Sequence, residues 1–265
     1  MQEVVWDYFK QYGRDMPWRQ PEASGSFDPY KIMVSEIMLQ QTQVSRVIPK
    51  YHAFIERFPT TNSLAQSSLA DVLKLWSGLG YNRRAKYLHQ AAQQIADKPF
   101  PSTMHDLTSL PGIGTNTAAA ILNYAYNQPT AFIETNIRTV YIHHYFSDHP
   151  GTISDKQLLP LVEETMDREH PREWFWALMD YGAYLKSTIG NISRNSHHYT
   201  KQSSFQGSRR QIRGQIIKLL NQAPQDMASL ARHISDERLA SVLADLTKEG
   251  LIIRNKNLYN TPHDI

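Results

Sequence analysis

The chain has 265 residues, 41% hydrophobic and 20% charged, a composition typical of one large globular domain or two smaller ones. It contains no cysteine, which excludes disulfides, thiolate zinc sites and cysteine-ligated iron–sulfur clusters. No apolar run approaches the ~20 residues that span a bilayer, and the first residues lack a secretory pattern, so we expect a cytoplasmic protein.

The net charge of +3 is too small to indicate nucleic acid by itself, but its distribution is uneven. The stretch 186–215 holds six basic residues and no acidic one, so the rest of the chain sums to 3 − 6 = −3. The six are Lys186, Arg194, Lys201, Arg209, Arg210 and Arg213. Such a stretch is either a solvated linker or, as we predict, a surface that contacts phosphates.

Apolar residues of the first half recur at helical spacing without alternating β-branched runs, so we predict an all-α region. Helices are predicted at 3–12, from residue 30 onward, and at 45–58, 63–66, 69–76 and 83–96. Glu36 lies inside the otherwise apolar helix that begins near residue 30. It is either a solvated surface residue or a partly buried carboxyl group with a raised pKa, able to donate a proton.

A predicted hairpin, at about residues 105–125, centres on Leu110-Pro111-Gly112-Ile113-Gly114. Gly112 and Gly114 allow a tight turn, and the following helix begins with N–H groups that have no partner within the helix. Such a helix end can bind an anion, which in a helix–hairpin–helix is a DNA phosphate. The alternative is an ordinary connection between two helices.

Glu134 lies just before or at the start of another predicted helix, for which Thr135 and Asn136 are the candidate caps. The simplest interpretation is that Glu134 only interacts with the helix dipole. The pairs at 143–144 and 197–198 raise the question of a metal site, but adjacent histidines point in different directions on a helix. We therefore predict no metal, and we assign Trp174-Phe175-Trp176 to a helix core.

Beyond residue 206 the pattern changes to three helices, at 209–220, 227–233 and 237–249, and a two-stranded hairpin formed by 251–254 and 258–260. This is the order of elements in a winged-helix module. We predict a domain boundary near residue 200, with domains at 1–200 and 201–265.

Several motifs together resemble the MutY-type adenine DNA glycosylases of the helix–hairpin–helix superfamily. They are Met16-Pro17-Trp18-Arg19, Pro29-Tyr30, Ser35-Glu36-Ile37-Met38-Leu39-Gln40-Gln41-Thr42-Gln43-Val44, Gly78-Leu79-Gly80-Tyr81 and Leu110-Pro111-Gly112-Ile113-Gly114. The resemblance covers roughly residues 1–185. It implies an all-α, two-lobed domain with its active site in the cleft between the lobes, in the cytoplasm of a bacterium.

The resemblance also assigns roles. Glu36 matches the general acid that protonates adenine, and Glu134 stands where the family has the Asp that stabilises the sugar cation. Gln40 and Gln41 match residues that probe the opposite base, and Tyr81 matches a wedge beside that base. The remaining residues expected to contact DNA are Arg19, Gly112, Gly114, Asn116, Thr117, Asn136, Arg209 and Arg210.

The chain departs from the family in four places. Glu134-Thr135-Asn136 replaces Asp-Gly-Asn, which puts the second carboxylate ~1 Å from its usual place. Asn116 occupies the position of the Schiff-base Lys of bifunctional relatives, so we predict no strong lyase activity. Lys186 replaces the first cluster cysteine, so we predict no cofactor and assign the DNA contacts of the cluster to the basic stretch. A winged-helix module stands where the family has a Nudix-like domain, so recognition of 8-oxoguanine is not implied.

We therefore predict a monomeric, monofunctional glycosylase that acts on double-stranded DNA and removes adenine mispaired with guanine or 8-oxoguanine. Two alternatives remain open. The same scaffold could remove thymine or uracil opposite guanine, although Gln40 and Gln41 favour adenine. The protein could also bind DNA structures without catalysis, an alternative that Glu134 in place of Asp keeps open.

Overall fold

The computed structural model describes residues 1–197, 199 and 204–262. None of the helices in these ranges is long and apolar enough to cross a membrane. The chain divides into two compact units whose segments alternate along the sequence. The first unit comprises Met1–Glu36, Pro101–Ser109 and Ile113–Lys201, and the second comprises Ile37–Phe100, Leu110–Gly112 and Gln202–Ile265.

The described residues are mostly helical, as the sequence predicted. The helices are α1 Gln2–Tyr12, α2 Pro29–Leu39, α3 Val44–Arg57, α4 Thr61–Ala65, α5 Leu69–Trp76, α6 Arg83–Ile95, α7 Met104–Thr108, α8 Thr115–Tyr126, α9 Thr135–Tyr145, α10 Asp155–Thr165, α11 Pro171–Thr188, α12 Arg209–Leu220, α13 Met227–His233 and α14 Leu239–Lys248. The strands are β1 Gln225–Asp226, β2 Ile253–Asn255 and β3 Leu258–Asn260.

In the first unit the long helix α11 packs against α1, α8 and α9. Trp174 and Phe175 are fully buried and Trp176 is 7% exposed, so the aromatic triplet is core, as predicted. Gly182 brings α11 unusually close to α9. A Cβ at this position would lie 2.3 Å from the main-chain oxygen of Asn136, so any side chain here would overlap the backbone.

In the second unit α4 and α5 pack on α6, and α12 packs on α14. The C-terminal sheet is antiparallel in the order β1-β3-β2, with Tyr259 paired to Arg254 on one side and to Gln225 on the other. The C-terminal helices and strands have the winged-helix arrangement that the sequence predicted, except that a third strand, β1, pairs with the hairpin. We missed β1 because two residues are too short to show an alternating pattern.

Two local predictions are corrected. The helix expected at 63–66 begins at Thr61 because Thr60 and Ser63 cap each other's backbone N–H groups, which moves the start of the helix toward the N-terminus. Helix α10 was not predicted, and Pro160 lies inside it.

The C-terminal segment associates with the segment 37–100. The N–H of Ala70 donates to the carbonyl of Pro262 at 3.0 Å. Arg83 and Arg213, from α6 and α12, both form ion pairs with Glu249. The division at residue 200 would separate these segments, whereas the structure joins them in the second unit. Sequence spacing carries no information about such distant partners.

Candidate active site

The predicted hairpin is formed by α7, α8 and the turn between them. Gly112 has φ +78°, and a Cβ there would lie 2.7 Å from Cβ of Tyr87, so both backbone conformation and space require glycine. Gly114 is the N-cap of α8 and offers no side-chain cap. The first N–H groups of α8, in the turn that contains Asn116 and Thr117, therefore begin the helix without a side-chain acceptor from the cap.

Glu36 lies on α2, next to Ser35 in a run of buried residues, and its own side chain is only partly exposed. Burial, followed by the negative charge of Glu134, raises the pKa of Glu36 from 4.5 to about 8, and Arg19 opposes both effects. A carboxyl group with this pKa keeps its proton at neutral pH. Of the two interpretations of Glu36, the structure agrees with the partly buried carboxyl group that has a raised pKa, and its role as a proton donor stays a prediction.

Glu134 caps α9 with its own side chain. Its Oε1 accepts hydrogen bonds from the backbone N–H groups of Asn136, at 2.6 Å, and Ile137, at 3.1 Å. The expectation that Thr135 or Asn136 would cap this helix was wrong, because the longer Glu134 side chain folds back onto the helix start. Burial raises the pKa of Glu134, while the backbone hydrogen bonds and Arg138 oppose that increase.

Burial raises the pKa of both carboxyl groups, but their other surroundings differ. The backbone N–H groups at the start of α9 stabilise negative charge on Glu134. That charge, together with burial, favours the protonated form of Glu36. A pair of this kind divides the roles of acid and anion between two chemically identical groups.

Arg19 supports this site from inside the first unit. Its Nη1 and Nη2 donate to the two carboxylate oxygens of Asp180 at 2.8 and 2.9 Å, its guanidinium lies 5.3 Å from the ring centroid of Trp176, and its side chain is 9% exposed. Burial raises the pKa of Asp180, but the hydrogen bonds and charges of Arg19 and Arg14 outweigh it, so this pKa is lowered. Arg19 was expected to contact DNA; here it is engaged with Asp180, and it acts on the site by lowering the pKa of Glu36.

Two asparagines from the predicted set fix the backbone around Glu134. The amide Nδ2 of Asn116 donates to the carbonyl of Ile133 at 2.6 Å, which holds the residue that precedes Glu134. The N–H of Asn136 donates to Glu134, and its carbonyl lies against Gly182. In this structure both residues position the second carboxylate.

The residues predicted to meet the opposite base are gathered in the second unit, around a cavity of about 620 Å³. Gln41 and Tyr81 both have positive φ, at 56° and 48°. Gln40, Gln41, Tyr81, Gly112 and Arg210 line the cavity. Arg209 does not line it and forms an ion pair with Asp245.

Sequence reasoning missed two residues of these sites. Arg84 is buried and donates to several backbone carbonyls that border the cavity. Tyr124, on α8, is buried in the first unit, and burial, followed by the charge of Glu36, raises the pKa of its hydroxyl. An Arg-Arg pair and a tyrosine in an alanine-rich helix carry no local signal of such roles.

The histidine pairs form no metal site in the part of the chain that the structure describes, where no three His, Asp or Glu side chains converge. His144 contacts the hydroxyl of Tyr181 at 3.3 Å, and His198 lies outside the described residues. The residues present do not fit an iron–sulfur cluster either, because Lys186 occupies the place of its first ligand and the chain has no cysteine.

Comparison with known proteins identifies the family of this chain. The HhH-GPD superfamily of base excision DNA repair proteins matches residues 34–163. The adenine DNA glycosylase of Mycolicibacterium smegmatis is 37% identical over 78% of this chain and 75% of its own length, and that of Mycobacterium tuberculosis is 31% identical over 90% and 86%. The chain belongs to this superfamily.

One further relative extends beyond the aligned region, and two solved structures share the fold. The adenine DNA glycosylase of Buchnera aphidicola subsp. Baizongia pistaciae is 34% identical over 77% of this chain, which spans only 60% of that relative. The solved structure of a thermostable thymine-DNA glycosylase superimposes with a TM-score of 0.58 at 23% sequence identity. The superposition covers 69% of this chain and 84% of that protein's chain. The protein of an endonuclease III–DNA complex superimposes with the same TM-score at 14% sequence identity, over 73% of this chain and 89% of its own chain.

Proposed function

We propose that this protein is a monofunctional DNA glycosylase that hydrolyses the N-glycosidic bond of adenine opposite guanine or 8-oxoguanine in double-stranded DNA. The observation that carries the proposal is the pair of coupled carboxyl groups, in which Glu36 keeps a proton to about pH 8 beside Glu134. The adenine DNA glycosylases among its relatives supply the target base.

The chemistry needs both groups. When the bond between the sugar C1′ and the adenine nitrogen breaks, its electron pair leaves with the base, and positive charge develops on the sugar. Glu36 donates its proton to the departing adenine, and Glu134 offsets the charge of the oxocarbenium-like sugar. Water then adds to C1′ and releases a proton, so the products are adenine and an abasic site. The nucleotide must first leave the base stack, at a cost of a few kcal/mol.

Asn116 supports hydrolysis without strand cleavage. A β-lyase reaction of this superfamily needs a lysine amine that forms a Schiff base with the sugar. Asn116 has no such amine, and its amide is bonded to the carbonyl of Ile133. We propose that strand breaks appear only after alkali cleaves the abasic product.

The test is single-turnover base release from duplexes that contain A:G, A:8-oxoguanine, T:G or U:G, each followed by alkali. Adenine release that falls by about 10²- to 10⁴-fold in Glu36→Gln is expected, because this variant loses the general acid. Release of thymine or uracil instead would assign the enzyme to the other mismatch branch. Tight binding of every duplex without release of any base would indicate a non-catalytic DNA-binding protein.

A further inference from the structure

The hairpin formed by β2 and β3 is a narrow, basic ribbon in the second unit. Residues 253–258 are all exposed, and the sequence 250–263 contains no acidic residue. We propose that this hairpin is a second DNA contact, which lies in the minor groove of the duplex away from the mispair. The inference requires that the protein binds DNA, but it does not depend on the proposed excision of adenine.

Lys256, at the tip of the hairpin, has a backbone conformation that favours other residues. Its φ is +55°, in the left-handed region where glycine and asparagine are the usual residues of a hairpin turn. A lysine in this region is strained, and strain of this kind clusters at binding sites. The side chain is exposed and forms no ion pair within the described residues. The turn therefore presents a cation to an external partner.

Arg254 adds a second cation, which is held against the hairpin. Its Nε donates to the carbonyl of Lys256 at 3.1 Å, and its guanidinium carbon lies 5.6 Å from the centroid of the Tyr259 ring. A guanidinium that is already oriented loses less freedom when it binds a phosphate. The two cations are thus placed together at the exposed end of the hairpin.

The uncharged residues of the hairpin suit a minor groove. Ile253 faces Asn260 across the strands and Asn255 faces Leu258, so these four side chains share one face of the hairpin. Ile253 and Leu258 are 43% and 46% exposed. Proteins that bind the minor groove combine arginine, lysine or asparagine with exposed apolar side chains, which contact the deoxyribose walls or the base steps. The hairpin has both kinds of residue, including Asn255 and Asn257 on either side of the tip.

Acidic residues on β1 and at the end of α14 have partners within the protein. Asp226 caps α13 by accepting a hydrogen bond from the N–H of Ser229 at 2.7 Å. Asp245 pairs with Arg209, and Glu249 pairs with one arginine from α6 and one from α12. Since α14 is the third helix of the module and carries these acids, which repel phosphates, the charge pattern favours the hairpin as the DNA contact.

The test measures binding in a Glu36→Gln background to a duplex that extends well beyond an A:G mispair on both sides. The variant combines Lys256→Asn with Arg254→Gln, because asparagine readily adopts the left-handed conformation and the turn is kept. The slope of log affinity against log salt should become shallower by about two. Hydroxyl radicals attack sugar hydrogens that line the minor groove. The protein with intact Lys256 and Arg254 should protect sugars of both strands across one minor groove away from the mispair, and the variant should lose this protection.

Lys218→Gln is the matched control, because it removes the same charge from an exposed position on α12. It should leave the slope and the protected sugars unchanged, and an equal effect of this control would contradict the proposal. The melting temperature of Lys256→Asn should not fall, since the substitution relieves strain, and a clear decrease would show that Lys256 serves the fold instead.

Two further outcomes would overturn the proposal. A double variant with unchanged slope and protection would show that the hairpin does not contact DNA. A shallower slope without any loss of protected sugars would place the two cations on phosphates outside the minor groove. Absence of adenine release from active enzyme would refute the proposed function alone, because the protection is measured without catalysis.

Discussion

The negative charge of Glu134 raises the pKa of Glu36, while the N–H groups of Asn136 and Ile137 hold the charge on Glu134 itself. The start of α9 therefore affects the pKa of Glu36 indirectly, through the negative charge that it stabilises on Glu134. The same hydrogen bonds explain how a Glu can occupy the place where the family has an Asp. Its extra methylene is taken up by folding back onto the helix.

The first prediction concerns the pH dependence of catalysis. Because Glu36 must be protonated and its pKa is about 8, the single-turnover rate should fall about tenfold per pH unit above pH 8. The rate should also fall in acid, where Glu134 gains a proton. Rates measured from pH 4 to 10 with saturating enzyme test this, and an alkaline limb that begins below pH 6 would contradict it.

The second prediction concerns stability. The pKa of Glu36 is raised by folding, so the protonated group favours the folded state fully below pH 4.5, and this contribution is lost as pH rises to about 8. Above pH 8 the ionised carboxylate costs stability, of order 2–5 kcal/mol. Glu36→Gln cannot ionise, so its melting temperature relative to the wild type should rise between pH 4.5 and 8. A difference that does not change with pH would show that the pKa of Glu36 is ordinary.

The third prediction separates the roles of Glu134. Glu134→Asp keeps the charge and the cap but moves the carboxylate by ~1 Å, and we expect the rate to fall about tenfold or more. Glu134→Gln removes the charge, so the rate should fall further and the alkaline limb should move to lower pH. The pH profile of Glu134→Gln distinguishes a lost charge from a lost cap. A protein that only binds DNA would show no change of rate in either variant.

How much of this site the sequence predicts depends on the range of each interaction. The turn at Gly112 is a local feature that residue type and spacing predict. Residue type alone leaves Glu36 open between a solvated carboxylate and a partly buried acid, and its role as the acid comes from the family resemblance. The sequence does not decide how Glu134 interacts with α9. A carboxylate at the start of a helix has the same sequence pattern whether its side chain caps the helix or only interacts with the helix dipole. The contact between Arg210 and Tyr81 could not be predicted. Helical periodicity describes only residues that are a few positions apart, whereas these two side chains are 129 residues apart in the sequence.

The fourth prediction concerns the close approach of α11 and α9. Gly182→Ala should place a Cβ 2.3 Å from the carbonyl oxygen of Asn136, and we expect the melting temperature to fall by roughly 3–10 °C. Gly214→Ala is the matched control, because no atom lies within 4 Å of its Cβ and alanine favours the helix α12. In thermal unfolding, the melting temperatures of the two variants should shift in opposite directions from that of the wild type. Equal melting temperatures would show that α9 can yield to the new side chain.

The fifth prediction concerns the basic stretch. The sequence predicts that the stretch 186–215 contacts phosphates, and residues that make such contacts set the salt dependence of DNA binding. Because Asp245 and Glu249 already pair with Arg209 and Arg213, these two should contribute little. Lys186 and Arg194 are exposed, so replacing both with Ala should lower the salt slope by up to about two. Affinity measured from 50 to 300 mM salt compares this double variant with Arg209→Ala, and a larger effect of Arg209→Ala would contradict the assignment.

The interleaving of the two units has a consequence for biosynthesis. Residues 37–100 leave the ribosome long before residues 202–262, yet α5 and α6 take part of their packing from that late segment, through Ala70, Arg83 and Glu249. The second unit therefore cannot be completed during early elongation, and the first has all its segments only once residue 201 has emerged. A chain released early, after about 200 residues, would expose the faces of α5 and α6 that the C-terminal segment covers.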